Sequence, residues 1–400
     1  IQYQAPYFRE LATRESMELV VMFGSRHGLD VSLDKGFGTA FSWDIPLLEG
    51  YQHRFLENLA ANDDVDAFAG TRLGDPRAVL LENRVDALLV LGWQSLAHVQ
   101  LMRAARSLGI PLLVRGESNL LRRGAGGLRG IVRSIVWLPV RELVYRAAFH
   151  RVASFLVIGS RNADFYRHFG VPERKLHWAP YAVDNARFDL APAPRSEARR
   201  RLRVALGVPE DAVVFVVPAK LIERKRPFDL LEAFAKSRSA SHHAHLVYLG
   251  EGPQRAPLER AISKHGLKSH VSISGFVNQS VIPDWYAMAD CVVLPSDYLE
   301  TWGLAVNEGM AAGLAAIVSD AVGCAPDLVR DGENGFRFPF ADVDALASCL
   351  ARFAGLPPEQ RDVMGQRSRA IVSKFTIERL ADATEAALGA AFGEVRPRTE

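Results

Sequence analysis

Cysteine is nearly absent: Cys291, Cys324 and Cys349 are the only three in 400 residues, and none forms a Cys-x-x-Cys pair. This excludes a disulfide-stapled scaffold and a cysteine-based zinc module, and it points to buried, reduced thiols in a cytosolic setting. No apolar run reaches eighteen residues, so no segment reads as a membrane-spanning helix. No signal-peptide features are read in a sequence that begins at Ile1 rather than Met, which leaves a preceding targeting segment open, and internal repeats and low-complexity tracts are missing. The net charge is only +2, which gives no global attraction to nucleic acid. Eleven histidines show no metal-ligand spacing, and His242-His243-Ala-His245 reads as a surface turn ahead of a strand. The charge is uneven, however. Between Arg115 and Lys175 there are twelve Lys/Arg against four Asp/Glu, a local basic surface suited to an acidic or membrane-bound partner.

Four hundred residues exceed the size at which one hydrophobic core keeps growing, so two domains are expected. Short apolar runs alternate with helical patterns throughout. In the first half the runs are 19–23, 86–91, 110–114, 155–158 and 175–178; in the second they are 212–218, 245–249, 270–274, 291–295 and 315–319. Continuous apolar strands separated by helices imply an α/β architecture of doubly wound parallel sheets covered on both faces. Ala191-Pro-Ala-Pro194 reads as a stiff extended linker. The boundary therefore falls there, with one domain over 1–190, a second over 195–375 and a closing helix over 376–400. Ligands of such domains bind at the carboxyl ends of the strands, in a cleft between the two.

The most informative stretch is Glu300-Thr-Trp-Gly-Leu-Ala-Val-Asn-Glu308, two carboxylates around one glycine. It follows the strand-like Cys291–Pro295 and opens a helix over Gly303–Ala312. A strand, a glycine loop and a helix N-terminus make an anion site, because unpaired N–H groups and the helix dipole point into the loop. Eight helical residues span about 12 Å, roughly the reach from a ribose across a diphosphate to an attached sugar. Two Glu eight apart around a helix start also arise by chance, and one of them is often only a first-turn charge.

Other strand ends add polar groups. Lys220 and Lys225 lie on the loop after Pro218, where ammonium groups can converge on a diphosphate, with Arg226 as neighbour; the same residues also fit a solvated basic loop. Gly250-Glu-Gly252-Pro follows the next strand and permits close approach of a ligand or a strand. Phe276, after Gly275, is a seat for a flat base or a core side chain.

Lys220-x4-Lys225, Gly250-Glu-Gly-Pro, Glu300-x7-Glu308, Ala312–Asp320, Gly323-Cys-Ala-Pro-Asp327 and Asp331-Gly-Glu-Asn-Gly335 together resemble glycosyltransferase family 4 over roughly residues 210–345. The resemblance implies the GT-B fold, two Rossmann-like domains facing a central cleft. It implies a retaining, metal-independent glycosyltransferase of the hexosyltransferase type, with a UDP- or GDP-linked sugar as co-substrate and no cofactor. Glu300 would contact the donor sugar, Glu308 the ribose, and Lys220 and Lys225 the diphosphate, together with backbone N–H groups near Gly303 and Leu304. The family usually has Arg where Lys220 stands, so a guanidinium fork is replaced by a point charge. It commonly carries Glu where Asp327 sits.

In the first domain the family places a His near Glu117. Glu117 is accordingly read as catalytic, positioning an acceptor hydroxyl or the donor sugar, and Arg115 and Ser118 as acceptor-binding, Arg115 toward an acidic acceptor. An Arg115–Glu117 pair that only braces the loop is the alternative. The family's first strand would precede Ile1. Asp34-Lys-Gly-Phe-Gly38 and the stretch from Trp43 to Tyr51 form a Gly/aromatic loop in the acceptor domain, with Trp43 a sugar-stacking candidate. Asp64-Val65-Asp66 spells the Asp-x-Asp of metal-dependent glycosyltransferases but sits in a polar loop, so no metal is expected. The basic, apolar stretch 120–139 suits peripheral contact with an anionic bilayer or a helix packed in its own domain. The resulting expectation is sugar transfer to a glycan or lipid-linked acceptor in surface polysaccharide or glycolipid synthesis, in the cytoplasm or at the inner face of the membrane, with no nucleic-acid partner. A nucleotide-sugar epimerase and a catalytically silent GT-B scaffold are the alternatives.

Overall fold

The computed structural model describes residues 2–34, 36–61, 64–121, 141–238 and 243–394. The basic stretch 120–139 thus lies almost wholly outside the described residues, as does His242. The strands in chain order are β1 (Val20–Phe23), β2 (Ser32–Asp34), β3 (Thr39–Phe41), β4 (Gln52–Phe55), β5 (Leu88–Val90), β6 (Leu112–Val114), β7 (Ser154–Val157) and β8 (Leu176–Trp178). They continue with β9 (Val213–Pro218), β10 (Ala244–Leu249), β11 (Val271–Ile273), β12 (Cys291–Leu294), β13 (Ala315–Ser319) and β14 (Gly335–Phe338). The chain divides into two compact units. Unit 1 comprises Ile1–Leu29, Pro46–Tyr181 and Ile377–Glu400; unit 2 comprises Asp30–Ile45 and Ala182–Thr376.

Unit 1 holds a parallel sheet in the order β5-β6-β7-β8 and a separate parallel pair, β1 with β4. Helix Leu96–Leu108 begins at Ser95, whose hydroxyl caps the His98 N–H, and ends at Gly109 in the left-handed region. The closing helix Ile377–Glu394 belongs to this unit. Thr384 on it is hydrogen-bonded to buried Tyr7 at 2.8 Å, and its Ala387 carbonyl accepts the Ser154 hydroxyl at 3.1 Å. Arg14 adds ion pairs to Asp382 and Glu385. No described helix is long and apolar enough to cross a membrane.

Unit 2 carries a six-stranded parallel sheet in the order β11-β10-β9-β12-β13-β14. Every residue of β10, β12 and β13 is buried, as expected for strands covered on both faces. Phe215, Leu246, Val293, Ile317, Phe234 and Phe353 lie in the core on one side of it. The three cysteines are buried and unbridged. The strand order reverses between β9 and β12. In doubly wound sheets this switch point opens a crevice at the carboxyl ends of the strands.

Two sequence expectations are corrected here. Residues 192–206, expected to include an extended linker, form helix Pro192–Leu206. Both Pro192 and Pro194 fall in its first turn, where a missing N–H costs nothing because no intrahelical partner exists. Second, of the Gly/aromatic loop expected in the acceptor domain, Asp34 and Gly36–Gly38 lie in the antiparallel hairpin β2–β3 and, with the residues through Ile45, pack within unit 2, while Pro46–Tyr51 belong to unit 1.

Candidate active site

The loops after β9 and β12 meet at the switch point of unit 2. They are tied backbone to backbone by the Asp297 N–H donating to the Arg224 carbonyl at 2.9 Å, and Arg224 Nη1 donates to the Leu299 carbonyl at 3.1 Å. This brings the Lys225 ammonium into direct contact with Glu300 Oε2, a pair with side chains only 12% and 16% exposed. Gly303 caps the following helix, Leu304–Ala311, with φ of +102°. A Cβ at Gly303 would stand 2.7 Å from Leu294 Cδ2, so both the backbone sign and the tight seat over β12 require glycine. The loop is closed from beneath by the Gly323 N–H, which donates to the Glu300 carbonyl at 2.9 Å.

Lys220 is fixed by its backbone neighbours. The Ala219 N–H donates to Leu249 and the Leu221 N–H to the Glu251 carbonyl, at 3.1 and 2.8 Å. This contact explains Gly250 and Gly252: a Cβ there would fall 2.0 Å from the Ala219 carbonyl oxygen and 2.5 Å from that of Leu221. What approaches these glycines is thus the 219–221 backbone. The Lys220 ammonium lies 2.8 and 2.9 Å from the two carboxylate oxygens of Asp34, on the β2–β3 hairpin, and 4.6 Å from the Phe37 ring centre. Burial pushes the Asp34 carboxyl up, but Lys220 and the Phe37 and Gly36 N–H groups outweigh it and leave its pKa below the ordinary value.

Phe276 is packed by the same hairpin. Its ring stacks on Phe41 with centres 4.1 Å apart and meets Phe37 at 5.0 Å and Trp43 at 6.0 Å. Trp43 therefore stands in unit 2 beside Phe276 rather than in the other unit. Glu308 is 1% exposed, and the Tyr286 hydroxyl donates to its Oε2 at 2.6 Å. Arg226, with φ of +52°, turns to Asp229 at 2.6 Å.

In unit 1, Arg115, Glu117 and Ser118 follow β6. Arg115 is 3% exposed, its guanidinium 4.5 Å from the Tyr181 ring centre. The Tyr181 hydroxyl donates to Glu117 Oε1 at 2.6 Å, and burial followed by the Glu117 charge pushes its pKa up. The Ser118 carbonyl accepts from Asn162 at 2.8 Å. Asp64 accepts the Asp66 N–H at 3.1 Å in a local turn, and among the described residues no group of three His, Cys, Asp or Glu is arranged to hold a metal ion.

Tyr286 and Tyr181 escaped the sequence reading, and Asp34 was named there only as the start of an acceptor-side loop, not as the partner of Lys220. Asp34 carried a usable signal, since Asp followed by Gly two positions later is a turn-former. The two tyrosines are conspicuous only once their carboxylate partners are placed.

Residues 198–371 match the family model described as glycosyl transferases group 1. The chain is 31% identical over 277 residues to the GDP-mannose-dependent alpha-(1-6)-phosphatidylinositol monomannoside mannosyltransferase of Mycolicibacterium smegmatis, covering 65% of this chain and 68% of that one. It is 27% identical over 281 residues to the alpha-D-kanosaminyltransferase of Streptomyces kanamyceticus, 70% of each chain. Its fold is similar to that of HepE from Anabaena, solved in complex with UDP and glucose, with a TM-score of 0.68 at 16% identity over 96% of this chain and 95% of that one. The fold likeness and the identity to a relative over two thirds of its length agree: this chain belongs to the group 1 glycosyl transferases, as a GT4-type glycosyltransferase of the GT-B fold.

Proposed function

We propose that the protein transfers a sugar from a UDP- or GDP-linked donor to a glycan or lipid-linked acceptor, with retention of configuration and without a metal, in surface polysaccharide or glycolipid assembly at the cytoplasmic side of the membrane. The reading rests on one observation above the others: Lys220, Lys225, Glu300 and the Gly303 helix start all stand at the β9/β12 switch point. The two donor classes follow the UDP of the HepE structure and the GDP-mannose dependence of the mycobacterial relative.

In this mechanism the donor diphosphate draws Lys225 from Glu300, and the released carboxylate accepts hydroxyls of the donor sugar. Glu308, held by Tyr286, receives the ribose. As the bond from the anomeric carbon to the phosphate oxygen breaks, the ammonium groups and the helix N-terminus stabilise the departing charge. The acceptor oxygen bonds to the same face of that carbon, and the leaving phosphate oxygen takes its proton. Glu117, oriented by Tyr181, positions the acceptor hydroxyl, and Arg115 favours an acidic acceptor. No cofactor is required.

The deciding experiment is calorimetric titration with UDP, GDP and ADP, repeated with Glu308→Ala, followed by product analysis with and without a glycan acceptor. Selective binding weakened in the variant, with an acceptor-dependent product that keeps the donor's anomeric configuration, is the expected result. A new sugar formed without acceptor would replace the reading by an epimerase. Absence of nucleotide binding would replace it by a silent scaffold.

A further inference from the structure

The β2–β3 hairpin presents to the rest of unit 2 the two chemical features that the proposed donor would present. Asp34 sets a carboxylate on the Lys220 ammonium at 2.8 and 2.9 Å, where a phosphate is assigned. Phe41 sets a flat ring on Phe276, with centres 4.1 Å apart and planes inclined by 29°. A nucleobase cannot share that stack, because inserting one between two rings needs about twice the 3.5–4.0 Å carbon contact distance. The hairpin is built to hold these groups in place. The Gly36 and Phe37 N–H groups donate to Asp34 Oδ1 at 2.8 and 2.9 Å, and Gly38 closes the turn onto the Asp34 carbonyl at 2.7 Å. Gly36 lies so close to Lys220 that a Cβ there would come 2.8 Å from its Cδ. Beyond β3, the Ser280 N–H donates to Asp44 at 2.9 Å and Asn278 donates to the Ser42 carbonyl at 2.8 Å.

Resting on the donor reading above, we propose that this hairpin is an internal mimic of the donor nucleotide, with Asp34 in the place of a phosphate and Phe41 in the place of the base, and that a nucleoside diphosphate must displace both to bind. The arrangement selects for ligands that bring both features. Pyrophosphate alone leaves the aromatic contact in place, and a nucleoside alone leaves the ion pair in place. Asp34 and Phe41 are thus determinants of donor class as well as competitors for the donor.

The test is amide hydrogen exchange on the full-length protein, with UDP and GDP as probes and uridine as control, beside calorimetric affinities for the wild type, Asp34→Asn and Phe41→Ala. Saturating nucleoside diphosphate is expected to speed exchange in 30–45 while slowing it in 219–226, and uridine is expected to do neither. Asp34→Asn and Phe41→Ala are each expected to tighten UDP or GDP binding about 5- to 10-fold, a shift equivalent to about 1–1.4 kcal/mol. Slower exchange in 30–45 on binding, or weaker binding by both variants, overturns the proposal and makes the hairpin a roof of the site, while the donor reading stands. No binding of UDP or GDP by any of the three proteins removes the donor reading and this proposal with it. The exchange arm uses the wild type, so misfolding of a variant leaves it decisive.

Discussion

Arg203 Nη2 meets Asp290 Oδ2 at 3.0 Å, and that pair ties the amino ends of β9 and β12 together. The same Asp290 oxygen accepts the Val214 N–H at 2.8 Å, and the Asp290 N–H donates to the Val214 carbonyl at 2.9 Å. Arg203, 3% exposed, also donates to the carbonyls of Met288, Pro209, Glu210 and Ala212. The switch point thus has its polar lock at one end and its candidate site at the other. Arg203→Ala leaves several carbonyls short of a donor and Asp290 with Arg199 Nη2, at 3.0 Å, as its remaining cationic partner, and is expected to lower unfolding stability by about 1–3 kcal/mol. Urea denaturation measures this directly; an unchanged midpoint would mean that the lock adds no net stability.

Gly250→Ala is expected to cost about 2 kcal/mol or more through overpacking against the Ala219 carbonyl. It should also weaken nucleotide binding, because Lys220 moves with that backbone. Gly266→Ala is the control. Gly266 has φ of +67° and nothing within 4 Å of a Cβ, so only the left-handed backbone penalty of about 1–2 kcal/mol applies. Parallel melts and UDP titrations separate the two; equal effects on binding would detach Gly250 from the Lys220 loop.

Lys225→Ala and Glu300→Gln should each reduce kcat/KM for transfer by about 100-fold or more, the scale seen for loss of one preorganised charge-stabilising group. Because the two side chains touch, the double variant should lose less than the product of the single losses. Steady-state kinetics on the four proteins gives the coupling, and strict additivity would argue that the pair does not act together.

His245, read both as the first residue of the 245–249 strand and as part of a surface turn ahead of it, lies inside β10, so the strand reading holds and the turn reading is corrected. It is 2% exposed and hydrogen-bonded to Ser272 at 2.9 Å. Burial first, then nearby positive charges, lowers its pKa from 6.5 to about 4. The unfolded chain therefore binds the proton before the folded one does. Stability should fall as pH drops from about 6.5 to about 4, by up to roughly 3 kcal/mol for this group, and flatten below that. His245→Gln should remove this part of the acid slope in urea melts run from pH 4 to 7. An unchanged slope would assign the acid sensitivity elsewhere.

The buried strands of unit 2 were legible in the sequence because each is a continuous apolar run ending in a polar or glycine loop, and β9, β10, β12 and β13 fall within a residue or two of where the pattern puts them. The loop positions of Lys220, Lys225, Glu300 and Gly303 followed from those strands. Helix Pro192–Leu206 did not, because two prolines that mark a first turn also mark a linker. The hairpin was invisible for a different reason. Its strands are three residues each and half exposed, and what holds them is a set of side-chain contacts to residues far along the chain. Local periodicity carries no trace of such contacts.

The ion pair of Asp34 with Lys220 spans 186 positions of sequence, and this makes the nucleotide unit discontinuous in a way that boundary-drawing misses. The family match over 198–371 leaves out the hairpin altogether. A fragment cut to 182–376 would keep the six-stranded sheet yet expose the stacked face of Phe276 to water and leave Lys220 without its carboxylate. Such an excised half would differ from the intact protein at the very surface it was cut to study: stickier at the aromatic patch, more strongly cationic at the loop, and more open there to small anions.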